Sequence, residues 1–248
     1  MFSATDRDLV MERLIEMART DPIIAGAAVT GSLASGGGDR WSDIDLAFGV
    51  IGPVAASMDT WTAELYRDFG ALHHWDLPAG ATIYRVFLLP GWLEADIAFM
   101  PAAEFGPAGP AWRTLFGTAR AMQPPGRPDR GEMAGRAWHH ALHARTCIER
   151  GKLWQAEYWI SGLRDLVLAL ACARLGYPVS YGKGAHLLPA ELTDPLRDAL
   201  VTALEPAELR RALAAAASAL AHELDRTDQA LASRLHPLLS ELIKAASE

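Results

Sequence analysis

Positive charge is the scarcest commodity in this chain. Its 248 residues hold 30 acidic side chains against 23 basic ones, a formal net charge of −7. Only three of the cations are lysine, at positions 152, 183 and 244. That balance excludes the broad positive field on which non-specific nucleic-acid binding depends. It disfavours anionic membrane surfaces equally and leaves small cationic partners compatible. Cysteine is nearly absent too: Cys147 and Cys172 both sit in apolar, helix-like sequence. Two thiols make no disulfide framework, so a reducing compartment is expected. The longest apolar run, residues 166–173, is far too short to span a bilayer. The first eight residues show no basic region leading into an apolar core, so no signal peptide is expected. No Pro, Gly or Ser tract is long enough for a flexible linker, and half of all residues are hydrophobic at a mean hydropathy of +0.07. Disorder is thereby excluded, and a folded cytoplasmic protein with a substantial core is expected.

The charge is unevenly placed. Residues 1–130 carry 16 acidic against 10 basic side chains, whereas residues 131–248 carry 14 against 13. A site that gathers carboxylates belongs in the first half. That half also reads differently in its periodicity. Residues 6–20 have helical spacing with Thr5 or Asp6 as a cap. Residues 23–30 are a short apolar strand feeding Gly31-Ser32, and residues 41–49 alternate as a strand. Residues 55–70 read as a helix, and residues 82–89 and 93–100 as two strands of a hairpin turned by Pro90-Gly91. Residues 101–131, rich in Pro and Gly, read as a connection with one short helix. Beyond them the pattern predicts helices near 132–150, 153–176, 189–204, 206–225 and 227–246. Strands confined to one half and helices to the other imply an α/β (α+β) domain over 1–130 and an all-α helical bundle domain over 131–248.

The most informative string is Gly31-Ser32, ten further residues, then Asp43-Ile44-Asp45-Leu46. Strand periodicity puts Asp43 and Asp45 on one face, about 6.5–7 Å apart. Two carboxylates so placed repel unless a cation lies between them. Hard oxygen donors on a rigid strand suit Mg²⁺, which keeps waters and completes its shell with substrate phosphates. Gly31 lets backbone approach a phosphate closely, and Ser32 adds a hydroxyl and an N–H at an expected helix start. Asp96, in the later strand, is a third carboxylate, and Glu94 shares its face. Three acids on neighbouring strands suit metal-assisted phosphoryl or nucleotidyl transfer.

In these residues the chain resembles the DNA polymerase β-type nucleotidyltransferase superfamily. The resemblance covers about 70 residues and implies a mixed sheet. It also implies two Mg²⁺ ions and an NTP, ATP in the nearest-looking relatives, from which a hydroxyl takes the nucleoside monophosphate and expels pyrophosphate. Asp43 and Asp45 would hold the metals, and Asp96 would be either a ligand of the catalytic metal or the general base. Gly31 and Ser32 would contact the β- and γ-phosphates. The sequence departs from its relatives at Ser35-Gly36-Gly37-Gly38, where they often carry a basic residue; Arg40 stands nearby.

The helical half is similar, more loosely, to the helical domain of streptomycin/spectinomycin-type aminoglycoside adenylyltransferases, through Leu163-Arg164, the turn at 175–178 and Lys183. The resemblance implies nucleotide contacts for Lys183 and Arg164 and a helical domain that closes the acceptor and nucleotide site. Lys183 reads equally as a solvated loop lysine, and Arg164 as a structural partner of Glu157. Trp154, Glu157 and Tyr158 share a helix face that reads as core or as the wall of an amino-sugar pocket, with Glu157 an alternative base. His139, His140 and His143 read as exposed helix histidines, and His73-His74 as cations near a helix end. The expected function is adenylylation of a hydroxyl on a small antibiotic-like acceptor. Transfer to RNA or protein, and a non-enzymatic nucleotide-binding or antitoxin-like module, are the alternatives. Oligomeric state is not legible.

Overall fold

The computed structural model describes residues 1–122, 126 and 128–244, in two compact units, Met1–Gly126 and Arg127–Glu248. The first unit opens with α1 (Ala4–Thr20). Its cap is Ser3 rather than Thr5 or Asp6: the Ser3 hydroxyl accepts from the Asp6 N–H while the Asp6 carboxylate accepts from the Ser3 N–H. Strand β1 (Ile24–Thr30) follows, then the single-turn α2 (Gly31–Ala34), β2 (Ile44–Val50) and α3 (Val54–Asp68). Strands β3 (His73–Ala79), β4 (Thr82–Leu89), β5 (Leu93–Pro101) and β6 (Trp112–Phe116) complete the unit.

The six strands form one sheet in the order β3-β4-β5-β2-β1-β6. The β2–β5 pair is parallel and the others antiparallel, so the sheet is mixed. One face carries Ile44, Leu46, Phe48, Ile97 and Phe99, which pack with Leu14 of α1 and Met58, Trp61 and Leu65 of α3. Fully burying each such side chain contributes about 1.5–3 kcal/mol. Three sequence expectations need correction here. His73 and His74 lie in β3, paired with Leu88 and Phe87, not at a helix end. The connection over 101–131 contains β6 as well as a short 3₁₀ turn at Ala102–Glu104. Residues 41–43 belong to the turn before β2, whose ladder starts at Ile44.

Strand β3 is fixed to the helix-backed face by a fork. Both Arg85 Nε and Nη2 donate to the Asp76 carboxylate at 2.7 Å, and Nη1 donates to the Thr62 hydroxyl at 2.7 Å. That charge-assisted pair ties β3, β4 and α3 together. It holds the Asp76 carboxyl below the usual carboxylate range.

The second unit comprises α4 (Arg130–Glu149), α5 (Leu153–Leu175), α6 (Ala190–Arg197), α7 (Pro206–Thr227) and α8 (Gln229–Lys244). Helix α6 stops well short of the expected residue 204, and the last two residues expected for α8 lie outside the described ones. Alanines 137, 141 and 144 of α4 and 212, 216 and 217 of α7 are buried against Ile160, Leu163 and Leu220. Small side chains at those positions let the helix axes approach. Glu223 is buried in this unit and accepts twice from Arg174, at 2.7 and 3.0 Å. Among the described residues no helix is long and apolar enough to cross a membrane.

Candidate active site

The face of the sheet opposite α1 and α3 has a different composition. Its middle is built of Ala28, Ala47 and Ala98, buried under Phe105 with Trp112 and Tyr84 alongside. A Cβ at Gly26 or Gly49 would come within 2.6 or 2.8 Å of Phe105. Small residues thus let Phe105 lie flat on the strands. Towards the N-terminal ends of β2 and β5 the same face turns acidic.

In the parallel β2–β5 ladder Asp45 is the register partner of Asp96, and Ile44 of Ala95. Adjacent strands are about 4.8 Å apart, and register partners project to the same side. Asp45 and Asp96 therefore stand shoulder to shoulder, both partly buried. Two residues earlier come Glu94, on the same side of β5, and Asp43, in the turn that leads into β2. Glu94 is exposed, yet partial burial and the neighbouring charge of Asp43 push its carboxyl above the ordinary range. Burial, and then the charge of Asp96, likewise raise the Tyr84 phenol. Those two shifts tie Glu94 to Asp43 and Tyr84 to Asp96.

Gly31 completes this arrangement. It begins α2 at φ +62°, and a Cβ built on it would fall on the Asp45 carboxylate. Only glycine meets both demands, and Asp45 occupies the space so released. The chain between Gly31 and Asp43 is held by an internal network. The Ser32 hydroxyl donates to Ser42 Oγ at 3.0 Å, and Ser42 Oγ accepts from the Asp39 N–H at 2.9 Å. The Arg7 guanidinium, almost fully buried, donates to the carbonyls of Asp39 and Ser42 at 2.5 and 3.3 Å. Arg40 lies over the Trp41 ring, 4.0 Å from its centroid. Arg7 is a site-building residue that sequence reasoning missed, since it read as an ordinary member of a helix.

The donors at this end of the sheet are all hard carboxylate oxygens. Among the described residues no three His, Cys, Asp or Glu side chains close into a metal cage. Mg²⁺ does not ask for one, because it is commonly held by one or two carboxylates together with waters and substrate phosphates. The Asp45–Asp96 pair, with Gly31 making room for the Asp45 carboxylate, fits that kind of site.

The helical unit holds its own cleft, of about 1140 Å³. Its wall includes Glu157 and Tyr158, with Asp129, Glu132 and Asp165 as further carboxylates and Arg136 as a cation. Glu157 accepts from Ser161 Oγ at 2.6 Å. Trp154 does not line this cleft and is 76% exposed, while Tyr158 is 64% exposed. The stripe of Trp154, Glu157 and Tyr158 is therefore not core, and only its last two members face the cleft. Arg164 donates to Asp165 at 3.3 Å, so its ion-pair partner is its sequence neighbour rather than Glu157. Lys183 is exposed, and its neighbours Gly182 and Ala185, not Lys183 itself, line the cleft. His140 lines it too. Its Nδ1 lies 2.7 Å from the carbonyl oxygen of Arg136, and burial pushes its imidazole pKa down. With His139 and His143 it surrounds Trp159, at ring-centroid separations of 4.8–5.9 Å; His139 is exposed, as the sequence implied, whereas His140 and His143 are half-buried.

The structure thus brings Gly31, Ser32, Asp43, Asp45 and Asp96 together in the first unit. Glu157, Tyr158, Arg164 and Lys183 lie in the second. No protein-family model matches this sequence, and no curated protein matches it either. Among solved structures the chain is similar to the crystal structure of an aminoglycoside 6-adenyltransferase from Bacillus subtilis. The alignment covers 94% of this chain and 96% of that one, at 9% identity and a TM-score of 0.42.

Proposed function

We propose that this chain is a Mg²⁺-dependent nucleotidyltransferase that moves AMP from ATP to a hydroxyl of a small cationic acceptor of the aminoglycoside class, with release of pyrophosphate. The observation that carries the reading is the in-register pair of Asp45 and Asp96 on parallel strands, with Gly31 packed on one side of it. Asp43 and Asp45 would hold the two ions, with Asp96 as the third carboxylate. When bound, such ions offset the charge of the triphosphate and of the attacking and leaving oxygens.

The chain's own residues supply direction. Gly31 and Ser32 stand on the β1 side of Asp45 and are the candidates for the β- and γ-phosphates. Asp96 stands on the β5 side and accepts the proton of the incoming hydroxyl. The nucleophile would then approach the α-phosphorus from the flank opposite the one on which pyrophosphate departs, as in-line displacement requires. Lys183 and Arg164 are the helical unit's candidates for nucleotide contact. Glu157 and Tyr158, in a cleft with three further carboxylates, support an acceptor that carries ammonium groups.

The test is pyrophosphate release from Mg²⁺ and ATP across a panel of aminoglycosides. At least one should support turnover, and Asp45→Asn should abolish it while the protein stays folded. Turnover that survives Asp45→Asn would sink the assignment of the carboxylates.

A further inference from the structure

The row that holds Asp45 and Asp96 does not end at β5. In the antiparallel ladders Val86 of β4 is the register partner of Asp96, and Trp75 of β3 is the register partner of Val86. Trp75, Val86, Asp96 and Asp45 therefore lie in one line across four strands, on one face. Trp75 is 53% exposed on that face, whereas Val86 is only 8% exposed. Leu77, two residues along β3, is paired with Tyr84 and is 41% exposed on the same side. The orientation of Trp75 is locked from behind. The Arg85 fork on Asp76 and the 3.1 Å hydrogen bond between the Tyr66 hydroxyl and His74 Nδ1 hold the alternate residues of β3 on the helix-backed face. An aromatic ring on a clamped edge strand keeps its position without further ordering cost.

This line is polarised. Gly31 flanks Asp45 at one end, and beyond Asp96 at the other lie the buried Val86 and then the exposed indole of Trp75. From Asp96 to Trp75 there are two inter-strand steps, about 10 Å. That span accommodates one sugar-sized ring bearing its hydroxyl. Indole faces bind the C–H face of such rings and bind ammonium groups through their quadrupole.

We propose that Trp75 is the acceptor's ring platform. The ring that carries the attacked hydroxyl stands against the indole, beyond Asp96 on the same face, and directs its hydroxyl to Asp96. This rests on the nucleotidyltransferase reading and assigns to it a specificity residue in the sheet unit. So placed, two strands beyond Asp96, Trp75 would reach neither nucleotide nor metal, and its removal should act on the acceptor alone.

The experiment follows Trp75 directly. The chain has 8 tryptophans; 5-fluorotryptophan labelling gives each a ¹⁹F resonance, and the signal lost in Trp75→Phe identifies position 75. With Mg²⁺ and a non-hydrolysable ATP analogue present, glucosamine should shift that resonance. Glucosaminitol, its open-chain alditol with the ammonium on the same carbon, should shift it far less. In turnover assays Trp75→Ala should raise the KM of a ring acceptor roughly three- to tenfold. The KM for ATP should stay unchanged, and Trp75→Phe should restore most of the loss. A resonance indifferent to glucosamine, or an acceptor KM indifferent to Trp75→Ala, overturns the platform. So does a loss that tracks with dissociation of a dimer in sedimentation, which would give this edge to a second copy. A shifted resonance without pyrophosphate release from any acceptor removes the transferase reading instead, so the two failures are distinct.

Discussion

Strands β2 and β5 present two faces made by the same alternation, and the faces do opposite work. One carries Ile44, Leu46 and Phe48 beside Ala95, Ile97 and Phe99, all buried against α1 and α3. The other carries Asp45 beside Asp96, preceded by Glu94 on β5 and by Asp43 in the turn before β2, and followed by Ala47 and Ala98 under Phe105. Two carboxylates about 5 Å apart repel by on the order of 3 kcal/mol at an effective dielectric near 20, before partners or counter-ions intervene. Burial of a few large side chains on the opposite face outweighs that cost. The comparison teaches that the sheet can concentrate like charge on one side because its cohesion comes from the other.

Mutations should separate the faces. The largest effect expected is that of Asp45→Asn, which removes pyrophosphate release to background while its thermal midpoint stays level or rises, because a like-charge contact is relieved. Next comes Phe48→Ala on the helix-backed face. Phe48 is fully buried, with its ring 4.7 Å from that of Trp61 and 5.7 Å from that of Phe99. Its truncation should cost about 3–5 kcal/mol, read by urea denaturation. Activity per folded molecule should fall far less than in Asp45→Asn. A sheet unit that unfolds in Asp45→Asn would break the comparison.

The faces differ also in how much of them the sequence discloses. Ile44, Leu46 and Phe48 alternate with Asp45 and Ala47, so β2 and both its faces were legible, though not that the strand begins only after Asp43; the Asp96 strand was legible through the Pro90-Gly91 hairpin. Strand β3 was not, because His73–Ala79 is exposed or nearly so at every position and includes Asp76 and Pro78, which strands disfavour. It exists through pairing with β4 and the fork from Arg85, both non-local. Strand β6 was hidden in a Pro- and Gly-rich stretch for the same reason. The role of Trp75 was therefore invisible until β3 had a register. In the helical unit, the i, i+3, i+4 spacing put Trp154 and Tyr158 on one face but said nothing of what that face meets, and only Tyr158 meets the cleft.

Gly31 joins the faces' two currencies, stability and activity. Gly31→Ala puts a Cβ at φ +62°, which costs an L-residue about 1–2 kcal/mol, and the new atom falls on the Asp45 carboxylate. The midpoint should drop modestly while turnover falls by much more, since the displaced group is Asp45. A Gly31→Ala protein with ordinary turnover and only the stability loss would show that the position of Asp45 tolerates movement.

The smallest expected effect is the most specific to the acidic face. Glu94 has its carboxyl pushed above the usual 4.5 by partial burial and by Asp43. An acid whose folded value is raised binds its proton more tightly in the native state than in the unfolded one. Stability then falls as pH rises from about 4.5 through that raised value, and the penalty persists at neutral pH. Glu94→Gln removes the charge, so it should stabilise the sheet unit near pH 7 and lose that advantage below pH 4.5. Because Glu94 is largely exposed and screened, the gain is a few tenths of a kcal/mol. Denaturation of both proteins at pH 7 and pH 4 at low ionic strength reads the difference. An advantage for Glu94→Gln that is the same at both values would mean that packing, not the charge of Asp43, sets the energy of this corner.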